Sequence, residues 1–330
     1  MSNAPAAAAR RREAQLARRR KFIQRVQGQG LALVLAIVFV VMWTQSPYFM
    51  TVDNLSTAAG TVSILGVMAV AETLVIIMGE IDISIGSVMA LSSVLIGVLV
   101  GHGWNPWAAS LAAVLLAAFV GFLNGTLVVW AKINSLVVTL GMYSVALGCA
   151  YVLSNSSTVV IDGSGFETLG SGRVGPIPVE VFVFLLVWLL GYAVLRFTAL
   201  GRHIYAVGDN YDAARRAGIR ADMLRMGIFI AMSVSAALAG IIATSQLSSA
   251  APQVGDPYLL AVVTAVILGG ASLSGGRGTL VGTLVAVAIL GIIQNGFALL
   301  SMSVYVQYIV LGGLLIAAVL TDQLARRAER

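Results

Sequence analysis

Three carboxylates lie in apolar surroundings: Glu72, within Ala69-Val70-Ala71-Glu72-Thr73-Leu74, and Glu80 and Asp82, within Gly79-Glu80-Ile81-Asp82-Ile83-Ser84-Ile85-Gly86. In a lipid interior a carboxylate is costly unless it is paired or faces a polar cavity. Such groups can meet a passing solute, carry a proton, or cap a helix. Asp82 or Ser84 fits the last role, accepting from the first free N–H groups of a helix that starts there. Gly79 and Gly86 release the backbone around them. Glu72 is expected to face a bundle interior, in a hydrogen-bonded contact between helices more readily than in a proton relay. Asn124, Gln294 and Asn295 are polar side chains in apolar runs, suited to joining helices or to lining a cavity.

A second glycine-rich run, Gly269-Gly270-Ala271-Ser272-Leu273-Ser274-Gly275-Gly276, echoes the first at a constant offset, with glycines and a serine at matching places. Paired glycine-interrupted segments in two halves of a chain point to broken helices and a transport pathway. The candidate pathway set is therefore Glu72, Gly79, Glu80, Asp82, Ser84, Asn124, Ser272, Ser274, Gln294 and Asn295.

A third segment, Gly201–Ile219, reads as a short helix outside the apolar runs. Asp209 is placed to act as N-cap and Asp212 lies in the first turn. Ala213 and Ala214 favour helix, Asp212 and Arg216 are spaced for an i,i+4 pair, and Gly218 suits a left-handed end. Such a helix either docks into a partner or belongs to a solvated loop.

Other chemistries lack their residues. There is no G-x-x-x-x-G-K-[ST] phosphate loop, no H-E-x-x-H and no G-x-S-x-G, so no ATPase, metalloprotease or hydrolase motif is present. His102 and His203 are far apart and Cys149 is the sole cysteine, which leaves no zinc set and no internal disulfide. No cofactor or metal is expected in this chain. Cys149 reads as packing inside a helix.

The elements that must hold these residues are membrane helices. Hydrophobic residues make up 59% of the 330 and charged residues 10%, against about 25% charged in soluble domains. Such a surface cannot face water. Apolar runs lie near 31–44, 55–78, 84–100, 107–130, 136–153, 181–197, 226–246, 258–269, 280–299 and 304–320, the eighth short enough to be broken or tilted. The net charge of +6 flanks these runs and forms no single basic face, so no nucleic-acid partner is expected. Arg19-Arg20-Lys21-Phe22-Ile23 resembles a twin-arginine export signal, but no A-x-A-like site follows, and a basic cytoplasmic tail is the favoured reading. Ten crossings then place Lys132, Arg196–Arg225, Arg277 and the C-terminal arginines on the cytoplasmic side, with both termini. The opposite side receives one arginine, Arg173. The expected organisation is a tail over 1–30, a transmembrane domain over 31–322 with the inner loop at 197–225, and a second cytoplasmic tail over 323–330. The outer loop 155–178 is long enough to cover an outer mouth.

These motifs resemble those of permeases of the ribose/xylose-type ABC importers, a group related to branched-chain amino acid permeases. Gly79–Ser87 is similar to that group's G-G-I-D-L-S-V-G-S, and Leu268–Gly278 to its L-G-G-x-S-L-x-G-G-x-G. Gly201–Ile219 is similar to its G-R-x-x-x-A-x-G-x-N-x-x-A-A-x-x-x-G-I. Asp212-Ala213-Ala214 with Gly218 is a degenerate E-A-A-x-x-x-G coupling motif. The likeness runs from about Thr51 to Asp322. Glu80 departs from the pattern, standing where glycine is common, and Glu72 lies in a usually neutral stretch. Both open the solute class to a polyol, an amino sugar or a cationic solute beside a neutral pentose.

The resemblance implies an all-α polytopic bundle of the type II-like importer class, with discontinuous helices near the pathway, in the bacterial inner membrane. It implies import of a monosaccharide or related small polar solute. Its implied partners are ATP-binding-cassette subunits docking at Asp209, Asp212, Ala213, Ala214, Arg216 and Gly218, a periplasmic solute-binding protein, and a second permease copy, identical or paralogous. ATP hydrolysis would occur in a separate subunit. Alternatives are a same-fold permease for an amino acid, autoinducer or nucleoside, a proton-coupled transporter working through Glu72, Glu80 and Asp82, and a membrane enzyme or assembly factor.

Overall fold

The computed structural model describes residues 30–161 and 165–327, with side chains described as far as 323. The basic tail with its twin-arginine-like run, the loop residues 162–164 and the last three residues lie outside the described residues. The helices are α1 (Gly30–Gln45), α2 (Val52–Ile77), α3 (Ile85–Gly101), α4 (Pro106–Val129), α5 (Ser135–Leu153), α6 (Thr168–Ser171) and α7 (Val179–Phe197). They continue with α8 (Ala199–Asp209), α9 (Tyr211–Arg216), α10 (Ala221–Leu247), α11 (Asp256–Leu268), α12 (Leu280–Leu299) and α13 (Val304–Arg327). Two antiparallel pairs of two-residue strands, β1 (Val159–Val160) with β4 (Ser249–Ala250) and β2 (Arg173–Val174) with β3 (Ile177–Pro178), complete the described chain.

Seven helices, α2, α4, α5, α7, α10, α12 and α13, are long and apolar enough to cross a membrane. The apolar helices α1, α3 and α11 are shorter. Together these ten fall on the ten apolar runs of the sequence, but length alone qualifies seven.

Burial sorts the helices by position. The apolar window of α2 is 83% buried and that of α10 67%, whereas those of α7 and α13 are 17% and 11% buried. A helix apolar on every side must sit inside the bundle or against lipid; α2 and α10 do the first, α7 and α13 the second. Leu186, Leu189, Leu190, Ile309 and Ile316 are all exposed, a surface that only lipid solvates well. Cys149 is a correction of the same kind. It lies on α5, but its side chain is exposed and not packed inside, because a thiol behaves as a small hydrophobe that lipid accepts as readily as a core does.

Small residues bring α4 and α10 together. A Cβ on Gly121 would stand 2.5 Å from the Phe229 carbonyl oxygen, and one on Gly125 3.0 Å from Met226 Cα. Spaced by four, the two glycines share one face and let the backbones touch. Hydroxyls add ties between helices: Ser235 Oγ donates to the Val67 carbonyl at 2.6 Å, and Thr73 and Thr283 meet at 2.9 Å.

The short α11 begins part-way along α3, with its first residues, Asp256 and Pro257, exposed. Ala250 packs where a Cβ on Gly97 of α3 would touch it, and Gly255 packs at Gly86 of the same helix. Those two points lie about 16 Å apart along α3. The chain from 250 to 255 therefore runs down beside α3 without helix, and α11 covers the remaining depth. At the Ala250 end of that stretch, α6 lies over the end of α10. Gly170 N–H donates to Ser245 Oγ at 2.8 Å, and Ser245 Oγ donates in turn to the Phe166 carbonyl.

Candidate functional site

At the other end of the bundle, three helices stop in the same way. Gly79 (φ +81°), Gly218 (φ +86°) and Gly270 (φ +91°) take the left-handed conformation just past α2, α9 and α11. In each, the glycine N–H and the next N–H fold back onto the last-turn carbonyls. The bonds are Gly79 to Ile76 and Glu80 to Val75, Gly218 to Arg215 and Ile219 to Ala214, and Gly270 to Ile267 and Ala271 to Val266, at 2.9–3.1 Å. These are Schellman ends, and glycine adopts their geometry without steric cost. The equivalent residues of the two glycine runs are thus Gly79 and Gly270. The constant-offset pairing of Gly79 with Gly269 is one residue out, because Gly269 is still the terminal cap of α11.

The two runs and α8 meet directly. Gly276 N–H donates to the Ile77 carbonyl at 2.7 Å. A Cβ on Gly275 would lie 2.5 Å from the Gly208 carbonyl oxygen and 2.9 Å from Gly79 Cα. Tyr205 of α8 donates its hydroxyl to the Gly278 carbonyl at 2.8 Å. The ends of α2, α8 and α11 are therefore one junction.

Just inside it lies a buried polar cluster. Asp82 Oδ1 accepts from Ser84 N–H at 2.8 Å and from Ser84 Oγ at 2.6 Å. Asn124 Nδ2, from α4, donates to Ser84 Oγ at 3.1 Å. Ser84 occupies the N-cap position of α3, but its hydroxyl serves Asp82 and Asn124 and makes no cap bond. Asp82 fixes the turn before α3 and does not bond the helix's own first N–H groups. The loosened Ile81 backbone is satisfied from α5, where Ser135 Oγ accepts its N–H and Thr139 Oγ1 donates to its carbonyl, both at 3.3 Å.

Glu72 is fully buried on α2, as expected, and its carboxylate interacts with Asp82. It does not make the expected hydrogen bond between helices. Asp82 Oδ2 and Asn124 Oδ1 have no hydrogen-bond partner among the described residues, and the Glu72 carboxylate has no side-chain partner there. A buried polar atom left unsatisfied is expensive. Such atoms gathered around Asp82 and Ser84 make the cluster the strongest candidate for a functional site.

Not every candidate pathway residue gathers here. Gly79 and Ser274 are exposed at the junction, and Ser272 is buried there with its N–H on the Arg277 carbonyl at 3.0 Å. Gln294 and Asn295 lie fifteen residues along α12, near the opposite end, about 21 Å away. Asn295 exchanges two amide hydrogen bonds with Asn54 at 3.0 and 2.8 Å, a tie between α12 and α2. Half-buried Gln294 shares that level.

The segment after α7 folds as two helices. Asp209 ends α8; the N-cap of α9 is Asn210, whose Oδ1 accepts from Ala213 N–H at 2.9 Å. Asn210 wins because its extended backbone (φ −157°) marks the break between the helices. Asp212 stays in the first turn. Among the described residues, Asp212 and Arg216 form no ion pair; both side chains are exposed, where such a pair gains little. Ala214 is buried, and Ala213 and Gly218 face outward.

Sequence reasoning missed the partners of Glu80. Arg225, in the second turn of α10, forms an ion pair with Glu80. Its guanidinium also sits 5.2 Å over the ring of Tyr211, the first residue of α9. Tyr211 donates its hydroxyl to Asp222, which chiefly holds the phenol above its usual pKa range. No spacing rule joins positions 80, 211, 222 and 225.

The cluster makes a direct prediction. Asp82→Asn keeps the Oδ1 acceptor, so it should melt within about 0.5 kcal/mol of the native chain and retain transport. Asp82→Ala removes both bonds and should cost about 1–2 kcal/mol. Thermal unfolding in detergent, with solute uptake on the same preparations, checks both. Lost uptake in an Asn variant of native stability would assign the charge itself a part in passage.

Residues 54–319 match the family described as branched-chain amino acid transport system / permease component. The chain belongs to that family. The match spans all of the junction and the cluster. The permease is 37% identical over 298 residues to the ribose import permease protein RbsC of Escherichia coli K12, covering 89% of this chain and 93% of that one. It is 32% identical over 307 residues to the L-arabinose ABC transporter permease protein AraH of Azospirillum brasilense, covering 93% and 91%. It is 33% identical over 297 residues to the D-allose transport system permease protein AlsC of E. coli K12, covering 89% and 91%. No solved structure matches the permease.

Proposed function

We propose that this chain is the membrane-spanning permease of an ATP-driven importer of a monosaccharide or related small polar solute. The observation that carries the reading is the similarity to permeases of three sugars over nine-tenths of the chain. The fold supports it: a lipid-facing bundle encloses a buried cluster with unsatisfied polar atoms, and a short exposed helix, α9, lies at one end. In this reading α9 receives the ATP-binding subunit, through Asp212, Ala213, Arg216 and the turn at Gly218, with Asp209 and Ala214 setting its seat. Lys132, Arg196, Arg202, Arg215, Arg216, Arg220, Arg225 and Arg277 flank helix ends on the α9 side, and Arg173 lies on the other. Positive charge favours the cytoplasm, so the α9 side faces inward. The loops carrying β1–β4 and α6 then face a solute-binding protein. A second copy would complete the pore. ATP hydrolysis belongs to the partner subunit.

Reconstitution tests this. Vesicles holding the permease with ATP-binding and solute-binding partners should accumulate labelled ribose, arabinose or allose with ATP and not with a non-hydrolysable analogue. Uptake driven by a proton gradient without nucleotide would overturn the reading.

A further inference from the structure

The Glu80–Arg225 pair connects two parts of the molecule that the proposed function needs to move together. Glu80 is the third residue past α2, two positions before Asp82, and its side chain is 10% exposed. Arg225 is 20% exposed. A pair so withdrawn from water is screened little by salt, and removing one partner strands the other. Arg225 is held in turn by α9: Tyr211 lies under its guanidinium, and Tyr211 bonds Asp222, three residues before Arg225 on α10. The aromatic face, the guanidinium and the carboxylate thus form one line from the exposed helix to the turn that bears Asp82 and Ser84. Arginine suits the middle of that line because its planar group stacks and pairs at once.

We propose that Arg225 is a positioning residue for transport, tying α9 to the α2–α3 turn through Glu80 so that a displacement of α9 shifts the Asp82–Ser84–Asn124 cluster. This rests on the reading of the chain as an ATP-driven permease. The neighbouring contact of Gly208 with Ile77 holds α8 to α2 by shape alone. The ion pair is directional and breakable, and it bears on the turn beside the cluster.

The test is the number of solute molecules moved per ATP hydrolysed, in vesicles holding the whole complex. Glu80→Gln and Arg225→Gln should each lower that ratio about tenfold, while ATP hydrolysis stays within about twofold of native, a change matching a pair coupling of ordinary size. The double variant should fall no further than either single one, because one pair is lost in all three. A native ratio in both single variants overturns the inference, as does a fall in hydrolysis and uptake together that follows a lowered melting temperature. Independent, multiplying losses in the double variant overturn it too. These results differ from failure of the function itself, which shows as no ATP-driven uptake by the native complex.

Discussion

Gly208→Ala should destabilise the permease by more than about 3 kcal/mol, a large value for one methyl group. A Cβ there would stand 1.9 Å from the Ile77 carbonyl oxygen, 2.7 Å from Gly276 N and 2.9 Å from the Ile77 carbonyl carbon. All three atoms are backbone, so no side chain can swing aside. Ile77 already accepts from Gly276 at 2.7 Å. The methyl must either break that bond or lift α8 from the end of α2. Gly227→Ala is the control. Gly227 is also helical, in α10, but a Cβ there meets nothing within 4 Å, and alanine should stabilise its helix by about 0.5–1 kcal/mol. Thermal unfolding of both variants in detergent checks the contrast. A native melting temperature for Gly208→Ala would mean that the junction is not packed as described.

Gly218→Val should act on assembly and leave the bundle intact. Here the space is open, with nothing within 4 Å of a Cβ, and the difficulty is the backbone at φ +86°. A β-branched residue is an outlier in that region, and the strain is of order 1–2 kcal/mol. The turn would relax by giving up the bonds of Gly218 to Arg215 and of Ile219 to Ala214 that close α9. A docking helix whose end is disordered binds more weakly, by about tenfold for about 1.4 kcal/mol. Co-purification with the ATP-binding subunit, and hydrolysis stimulated by the solute-binding protein, should both fall while the melting temperature of the permease alone stays near native. If association and stimulation persist, α9 is not where the motor docks.

The two glycines show why the same residue type carries different information. Gly218 was legible in the sequence: a helix-forming run followed by glycine specifies a left-handed end through local geometry alone. Gly208 was not, because its requirement comes from Ile77 and Gly276, distant in the chain and brought to its side by the fold. The N-cap of α9 failed for a subtler reason. Asp209 and Asn210 both suit the role, and only the backbone break at Asn210 decides between them.

The apolar runs, their glycine-marked ends and the inward-facing Glu72 follow from sequence, because each rests on a short stretch of residues and on the cost of exposing polar groups to lipid. Membrane class and the places of the apolar helices were legible at that level, but the division of the inner segment into α8 and α9 was not. Which polar residues share a site was not. Asn124 joins Asp82 through Ser84, while Asn295 pairs with Asn54 at the far end, and one-dimensional spacing cannot distinguish the two asparagines. The partner of Glu80 was equally hidden, since a charge on α10 reaches it only after α10 packs beside the α2–α3 turn. Local geometry belongs to the sequence; selection among equivalent polar groups comes from packing across helices, where distance in space no longer follows distance along the chain.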